Sequence, residues 1–201
     1  MRWEVRRWWS GQDVIVIGGG RSLRDFGWHK LAPLLTIGCN DAYGLGTDVC
    51  NVCAFGDMKW YLHHANNLKA FSNPVFTNHP SLHEGSPDWL LTLSRKPDGL
   101  HKSALGWGGN TGCMAVNLAL LLGAARVFLL GFDMRLAIAK DNHWHAENMG
   151  NQTVETYKQF TAGFEKVSQQ LPSKFPGCEI INIGPNSDLD VFPKAEWSDY
   201  F

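Results

Sequence analysis

The sequence predicts an α/β fold: a single Rossmann-like domain on a mostly parallel, doubly wound sheet. Three observations carry that reading. Short β-branched runs such as Asp13-Val-Ile-Val-Ile17 suit strands buried on both faces. Such runs alternate with stretches of helical period, the pattern of α/β proteins. Small polar residues follow the strands, at Gly18–Gly20, Asn40–Asp41, Gly56–Asp57, Gly131–Asp133 and Gly184–Ser187. In a parallel sheet these turns converge on one rim, where ligands bind.

The opening element sets the frame. After the strand at 13–17, Gly18, Gly19 and Gly20 let the backbone turn sharply and approach a ligand. Arg21 to Leu31 reads as a short, poorly patterned helix that Ser22 would cap, its free N–H groups favouring a phosphate. The second strand, at 34–38, ends in Asn40 and Asp41. Val49 to Phe55 reads as a third strand, Met58 to Phe71 as a helix, and Pro74 to Thr77 as a fourth strand. Residues 78–109 lack a clear period and carry Pro80, Pro87 and Pro97, which predicts a lid-like insertion; Trp89 to Leu93 is its one strand-like run. Asn110 to Leu122 is a strongly apolar helix ended by Gly123. A strand at 126–130, a polar loop to Asn151, an amphipathic helix from Thr153 to Leu171 before Pro172, and a last strand at 179–183 complete the chain.

Bulk properties narrow the classes. A chain of 201 residues suits one domain spanning 1–201. With 44% hydrophobic and 18% charged residues it is globular rather than disordered. A net charge of −1 gives no general case for nucleic acid or membrane, and no apolar run reaches the length of a membrane span. In the arm at 1–12, Arg2, Arg6 and Arg7 alternate with Trp3, Trp8 and Trp9, which is not a signal-peptide core. Those tryptophans suit packing on the domain, or on a second copy in a homo-oligomer, better than lipid. Five cysteines without a secretory signal fit reduced thiols in a cytoplasm. Cys50-Asn-Val-Cys53 lacks the second ligand pair that zinc needs, so both thiols read as buried small hydrophobes.

An ordered set of motifs extends this reading. Val14-Ile-Val-Ile-Gly-Gly-Gly-Arg-Ser-Leu23, Gly38-Cys-Asn-Asp41, Asn110-Thr-Gly-Cys-Met-Ala-Val116, Gly123 to Asp133, His143-Trp-His145 and Gly184-Pro-Asn-Ser187 occur in sequence. From 13 to about 193 the chain resembles the bacterial lipooligosaccharide sialyltransferases and the 6-hydroxymethylpterin diphosphokinase-like proteins, as do small phage and prophage proteins. The resemblance implies a nucleotide-sugar donor held by Gly18, Gly19, Gly20, Arg21, Ser22, Asn40, Thr111 and Gly112, and Asp41, Asn110 and Asp133, next to them at the strand ends and the helix start, join the candidate donor site. It implies a histidine general base, with His145 the closest match and His143 the alternative, and no required metal. The chain departs from the usual motif with Gly19 in place of Asn and Arg21 in place of Pro. Met134 stands where the sialyltransferases carry tyrosine.

The leading expectation is a nucleotide-dependent transferase, most like a metal-independent glycosyltransferase, acting on an unidentified acceptor. One alternative is a magnesium-dependent diphosphokinase-like enzyme in which Asp41, Asp57 and Asp133 supply carboxylates. Another is a noncatalytic nucleotide-binding phage-type protein. The His143-Trp144-His145 loop, with Asp141, Asn142 and Glu147, suits a base, a metal pair or plain solvation. In an extended loop both imidazoles share a face and Trp144 points away as an anchor. His63, His64, His79, His83 and His101 read as surface or lid residues, and Trp89 and Trp107 as core packing, with stacking on a base or sugar as the alternative.

Overall fold

The computed structural model describes residues 4–136, 143–145 and 152–201. Asp141, Asn142, Glu147 and the rest of the polar loop around the histidines lie outside the described residues, as do Arg2 and Trp3.

Among the described residues the strands of the main sheet are β1 (Asp13–Ile17), β2 (Leu35–Cys39), β3 (Val52–Phe55), β4 (Val75–Thr77), β5 (Leu90–Thr92), β8 (Arg126–Leu130) and β9 (Glu179–Asn182). A separate small pair joins β6 (Arg95–Pro97) to β7 (Leu105–Trp107). The helices are α1 (Met58–Ala70), α2 (Thr111–Leu122) and α3 (Val154–Lys174). The sheet runs β5-β4-β3-β2-β1-β8-β9, and every neighbouring pair is parallel. Successive strands step outward from β1 to one side. The chain then returns to the other side of β1 with β8, so the order reverses between β1 and β8. That reversal opens a crevice at the carboxyl ends of these strands.

Alternating side chains divide the core into two layers. Val14 and Val16 of β1, with Val127 and Leu129 of β8, pack in one cluster with α2 and with Phe164 and Val167 of α3. Ile15 and Ile17, with Phe128 and Leu130, pack on the other face against Leu23, Leu31 and Ala42. Every residue of α2 from Gly112 to Leu122 is buried, as expected of a helix apolar all round. Gly123 ends it in the left-handed conformation at φ 105°. The arm packs along this helix end: the Trp9 N–H donates to the Leu122 carbonyl at 2.8 Å, and Trp8 lies edge-on to Phe76.

Two stretches differ from the sequence reading. The helix expected at 21–31 is instead a pair of 3-10 turns, Arg21–Leu23 and Trp28–Leu31. Leu23 and Leu31 are their buried residues, too few to stabilise a helix of that length. The stretch 78–109 contributes β5 to the main sheet, and Leu90, Leu93, Leu100 and Leu105 are buried. It is also tied down by Arg95, whose guanidinium donates to the Gly56 carbonyl at 2.5 Å and packs over Trp107 at 4.4 Å. A third difference is smaller: α3 continues through Pro172 to Lys174. Among the described residues no helix is long and apolar enough to cross a membrane.

Candidate functional site

At the carboxyl ends of β1, β2, β3 and β8 lies a cavity of about 590 Å³. It brings together Gly18, Gly19 and Gly20 with Asn40, Asp41, Asn110, Thr111, Gly112, Asp133, His143 and His145, residues far apart in the chain. Arg21 and Ser22 are absent from its lining, and Gly184 to Ser187 lie behind it. There Ser187 Oγ donates to the Phe132 carbonyl at 2.5 Å and braces the turn after β8.

The glycine turn is shaped largely by the protein itself. The Gly20 N–H donates to the Gly131 carbonyl at 2.8 Å. A Cβ on Gly18 would sit 2.5 Å from that same carbonyl oxygen, and one on Gly20 would overlap the Asp133 carboxylate. Neither position has room for a side chain because β8 passes so close. Ser22, expected to cap a helix, is itself held by Asp133: its N–H donates to Oδ2 at 2.9 Å and its Oγ to Oδ1 at 2.6 Å. Gly19 differs from its neighbours. A Cβ there would meet His143 Nδ1 at 2.9 Å and His145 Nε2 at 3.5 Å.

The turn after β2 carries polar groups of another kind. Asn40 adopts a left-handed conformation at φ 51°, which asparagine tolerates better than most residues. Its Oδ1 is buried and has no hydrogen-bond partner among the described residues. Asp41 follows as a hub. Its Oδ2 accepts from the Trp60 indole N–H at 3.0 Å and lies 3.9 Å from His145 Nε2. Its Oδ1 lies 3.5 Å from His64 Nε2.

A third contribution comes from the start of α2. Asn110 caps the helix, its Oδ1 accepting from the N–H groups of Gly112 at 2.8 Å and Cys113 at 3.3 Å. Its Nδ2 is buried without a partner among the described residues, although the residue is only 6% exposed. Buried amide groups are nearly always hydrogen-bonded. An orphan acceptor on Asn40 and an orphan donor on Asn110 thus belong to two residues that line the same cavity. The positive end of the α2 dipole adds a preference for negative charge there.

The histidines enter as one arm of a short antiparallel bridge. His143 pairs with Gly20, and the Trp144 N–H donates to the Gly19 carbonyl at 3.1 Å. The Trp144 indole donates to the Gly18 carbonyl at 2.9 Å and packs against Trp28. Trp144 thus anchors the segment, while the two imidazoles stack 4.9 Å apart at 19°. His143 Nδ1 is 3.2 Å from the Gly19 carbonyl. A carbonyl can only accept, so Nδ1 carries the proton and Nε2 keeps the lone pair. His145 instead directs Nε2 toward Asp41, and its Nδ1 is buried.

Sequence reasoning missed several residues of the site. His64, read as a surface residue, is 4% exposed on the inner side of α1. Its signal was the helical spacing Trp60, Tyr61, His64 and Leu68. His64 stands behind the cavity lining, whereas Lys59, Trp60, Phe132, Tyr157 and Phe160 line the cavity, as does Trp107, for which stacking on a ligand ring is the alternative expectation. Burial, with the Asp133 charge second, pushes the Tyr157 phenol upward. Asp57 caps α1, its Oδ1 accepting from the Trp60 N–H at 2.9 Å. Among the described residues no group of three or more His, Cys, Asp or Glu side chains is placed to hold a metal ion. Burial also raises the Cys39, Cys53 and Cys113 thiols well above their ordinary range, which leaves them poor nucleophiles.

The fold makes the chain an α/β protein, and the cavity lies at the strand-order reversal. Comparison with protein-family models, with curated proteins and with solved structures finds no match for this chain.

Proposed function

We propose that the protein is a nucleotide-dependent transferase of the metal-independent glycosyltransferase kind, moving a sugar from a nucleotide-sugar donor to a hydroxyl acceptor. The observation that carries this reading is the pair of orphaned amides, Asn40 Oδ1 and Asn110 Nδ2, beside the start of α2 in one cavity. A ligand offering a donor and an acceptor near a phosphate satisfies both. The cavity volume of about 590 Å³ lies within the range of small-molecule sites. Aromatic walls at Trp107, Phe132 and Tyr157 suit a base or sugar ring.

The roles follow from placement. Thr111, Gly112 and Lys59 face the donor phosphate, where helix dipole and ammonium offset its charge. The acceptor hydroxyl gives its proton to an imidazole as its oxygen bonds to the anomeric carbon. The carbon–phosphate oxygen bond breaks, and the nucleotide leaves with that electron pair. His143 rather than the expected His145 is the base: with Nδ1 donating to the Gly19 carbonyl, the neutral ring keeps its lone pair on Nε2, whereas His145 turns Nε2 to Asp41 and has a buried Nδ1. Asp41 then supplies counter-charge behind the stacked pair and is poorly suited to touching phosphate directly. Asp57 and Asp133 already accept protein hydrogen bonds, which weighs against the diphosphokinase-like alternative.

A thermal-shift screen of nucleotides and nucleotide sugars, with and without magnesium, tests the reading. A ligand at about 100 times its dissociation constant stabilises the fold by roughly 2.7 kcal/mol. A magnesium-independent shift by a nucleotide sugar, followed by turnover with an acceptor, is the expected result. A shift that needs magnesium favours the diphosphokinase-like reaction, binding without turnover favours a noncatalytic role, and no shift with any compound removes the proposal.

A further inference from the structure

We propose that Trp28 is a positioning residue of this site: its indole, backed by Phe26 and Trp197, is the seat on which Trp144 rests, and it thereby holds His143 against the glycine turn. The inference rests on the transferase reading only in naming His143 the base. The residue between the two imidazoles ties the histidine arm to the turn. The Trp144 N–H donates to the Gly19 carbonyl at 3.1 Å, and its indole N–H to the Gly18 carbonyl at 2.9 Å. Those bonds fix one edge of the indole, whose faces still need apolar partners. Trp28 supplies one, with ring centroids 4.9 Å apart at 56°. The other ring contact of Trp144 among the described residues is with His145, within the arm itself.

Trp28 is itself fixed from behind. It opens the turn Trp28–Leu31, and Leu31 at the far end of that turn is fully buried in the core layer shared with Ile15 and Phe128. Phe26 packs edge-on to Trp28 at 5.3 Å, and Trp197 packs edge-on to Phe26 at 5.3 Å. Phe201 meets Trp197 at 4.8 Å and Phe128 of β8 at 5.1 Å. The rings therefore run unbroken from a strand of the sheet to the histidine arm. Between β1 and β2 the chain crosses this face in 3-10 turns, and the aromatic row takes the place of a helix's apolar stripe. Edge-on and tilted aromatic pairs stabilise beyond the area they bury, and an indole has only two torsions to fix. Trp28 is absent from the cavity lining, so it acts on the reaction only through Trp144.

Hydrogen exchange of the indole protons, followed by NMR on the unliganded full chain, tests this. The Trp144 indole proton is held by the Gly18 carbonyl; the Trp60 indole proton, held by Asp41 at 3.0 Å, serves as internal reference. Trp28→Ala should speed exchange at Trp144 relative to Trp60 by about threefold or more, the fold-change expected for one lost aromatic pair. Trp28→Phe should keep that ratio near the wild-type value. Trp197→Ala, two rings back, should raise it by less. An unchanged ratio in Trp28→Ala overturns the proposal, since the ring then does no more than stabilise the fold as a whole. An equal rise in Trp28→Phe, or a larger rise in Trp197→Ala, contradicts it as well. If Trp28→Ala does not fold, Trp28→Leu, which keeps apolar bulk without a ring, carries the same expectation. In the transferase assay the variant should lower kcat and leave donor affinity unchanged; lost affinity with kcat intact contradicts the assignment. The exchange readouts need no donor, so failure of the transferase reading would leave them intact.

Discussion

After β1 the chain turns through Gly18-Gly19-Gly20; after β2, one strand away, it turns through Asn40-Asp41. Both turns line the same cavity. The first is determined mostly by close backbone packing. Gly18 and Gly20 are glycine because the Gly131 carbonyl and the Asp133 carboxylate occupy the space a side chain would need. The second has few such constraints and carries the chemistry: an orphan amide oxygen on Asn40 and a carboxylate shared by an indole and two imidazoles. A glycine run beside a pocket is thus weak evidence for phosphate contact until the protein's own atoms have been counted. A polar residue held in a left-handed turn with an unpaired buried atom is stronger evidence.

The largest effect expected from this contrast is on turnover. His143→Ala should lower the rate of the transferase reaction by about 10²–10⁴, with little change in donor affinity. His145→Ala should cost less, because His145 acts through its contact with Asp41. Steady-state kinetics of the two variants checks the order, and a reversed order restores His145 as the base.

The next effect falls within the glycine triplet. Gly18→Ala and Gly20→Ala should each destabilise the fold by roughly 1–3 kcal/mol, since backbone and a hydrogen-bonded carboxylate must shift. Gly19→Ala meets only imidazole atoms, His143 Nδ1 at 2.9 Å and His145 Nε2 at 3.5 Å, and no backbone. It should change stability by less than about 1 kcal/mol while displacing His143 and slowing turnover. Denaturant melts and rates on the three variants break the comparison if Gly19 proves as costly to the fold as its neighbours.

A smaller effect separates capping from ligand binding at Asn110. Aspartate caps helices as well as asparagine does, so Asn110→Asp should leave stability nearly unchanged. It replaces the Nδ2 donor by an oxygen, and nucleotide affinity should fall by about tenfold or more, as expected for one lost hydrogen bond to a charged group. Calorimetric titration of the variant reads this directly.

The mildest test uses the thiols and carries no stability change. Cys39 and Cys53 lie beside the β2 turn, and burial raises both thiols. Burial also pushes Cys50 up to about 12. Cys178 is only partly buried: burial raises its thiol too, and Arg7 opposes that effect. Under native conditions an alkylating reagent should therefore modify Cys178 first. Early labelling of Cys39 or Cys53 would mean that the β2 turn opens readily.

Much of the fold was legible because strand and helix periods dominate it. The strands at 13–17 and 126–130 and the helices at 58–71 and 110–122 coincide with β1, β8, α1 and α2 to within a residue. Gathering of the strand-end turns at one rim followed from parallel pairing. What was not legible depended on contacts distant in sequence. Ser22 and Asp133 are 111 residues apart, so nothing local shows that the carboxylate holds the serine. His64 read as polar surface because its partners, Asp41 and Tyr43, sit on another turn. The stretch 78–109 looked irregular because β5, β6 and β7 are three residues each, too short to show a period.

The central claim is that a nucleotide donor occupies the cavity between Asn40 and the start of α2. The most direct test follows the side-chain amide signals of Asn40 and Asn110 by proton–nitrogen NMR while a nucleotide sugar is titrated into the protein. The account predicts that both signals shift together with the backbone amides of Thr111 and Gly112, saturating at one equivalent. Saturable binding that leaves Asn40 and Asn110 unmoved and perturbs other residues instead would contradict it.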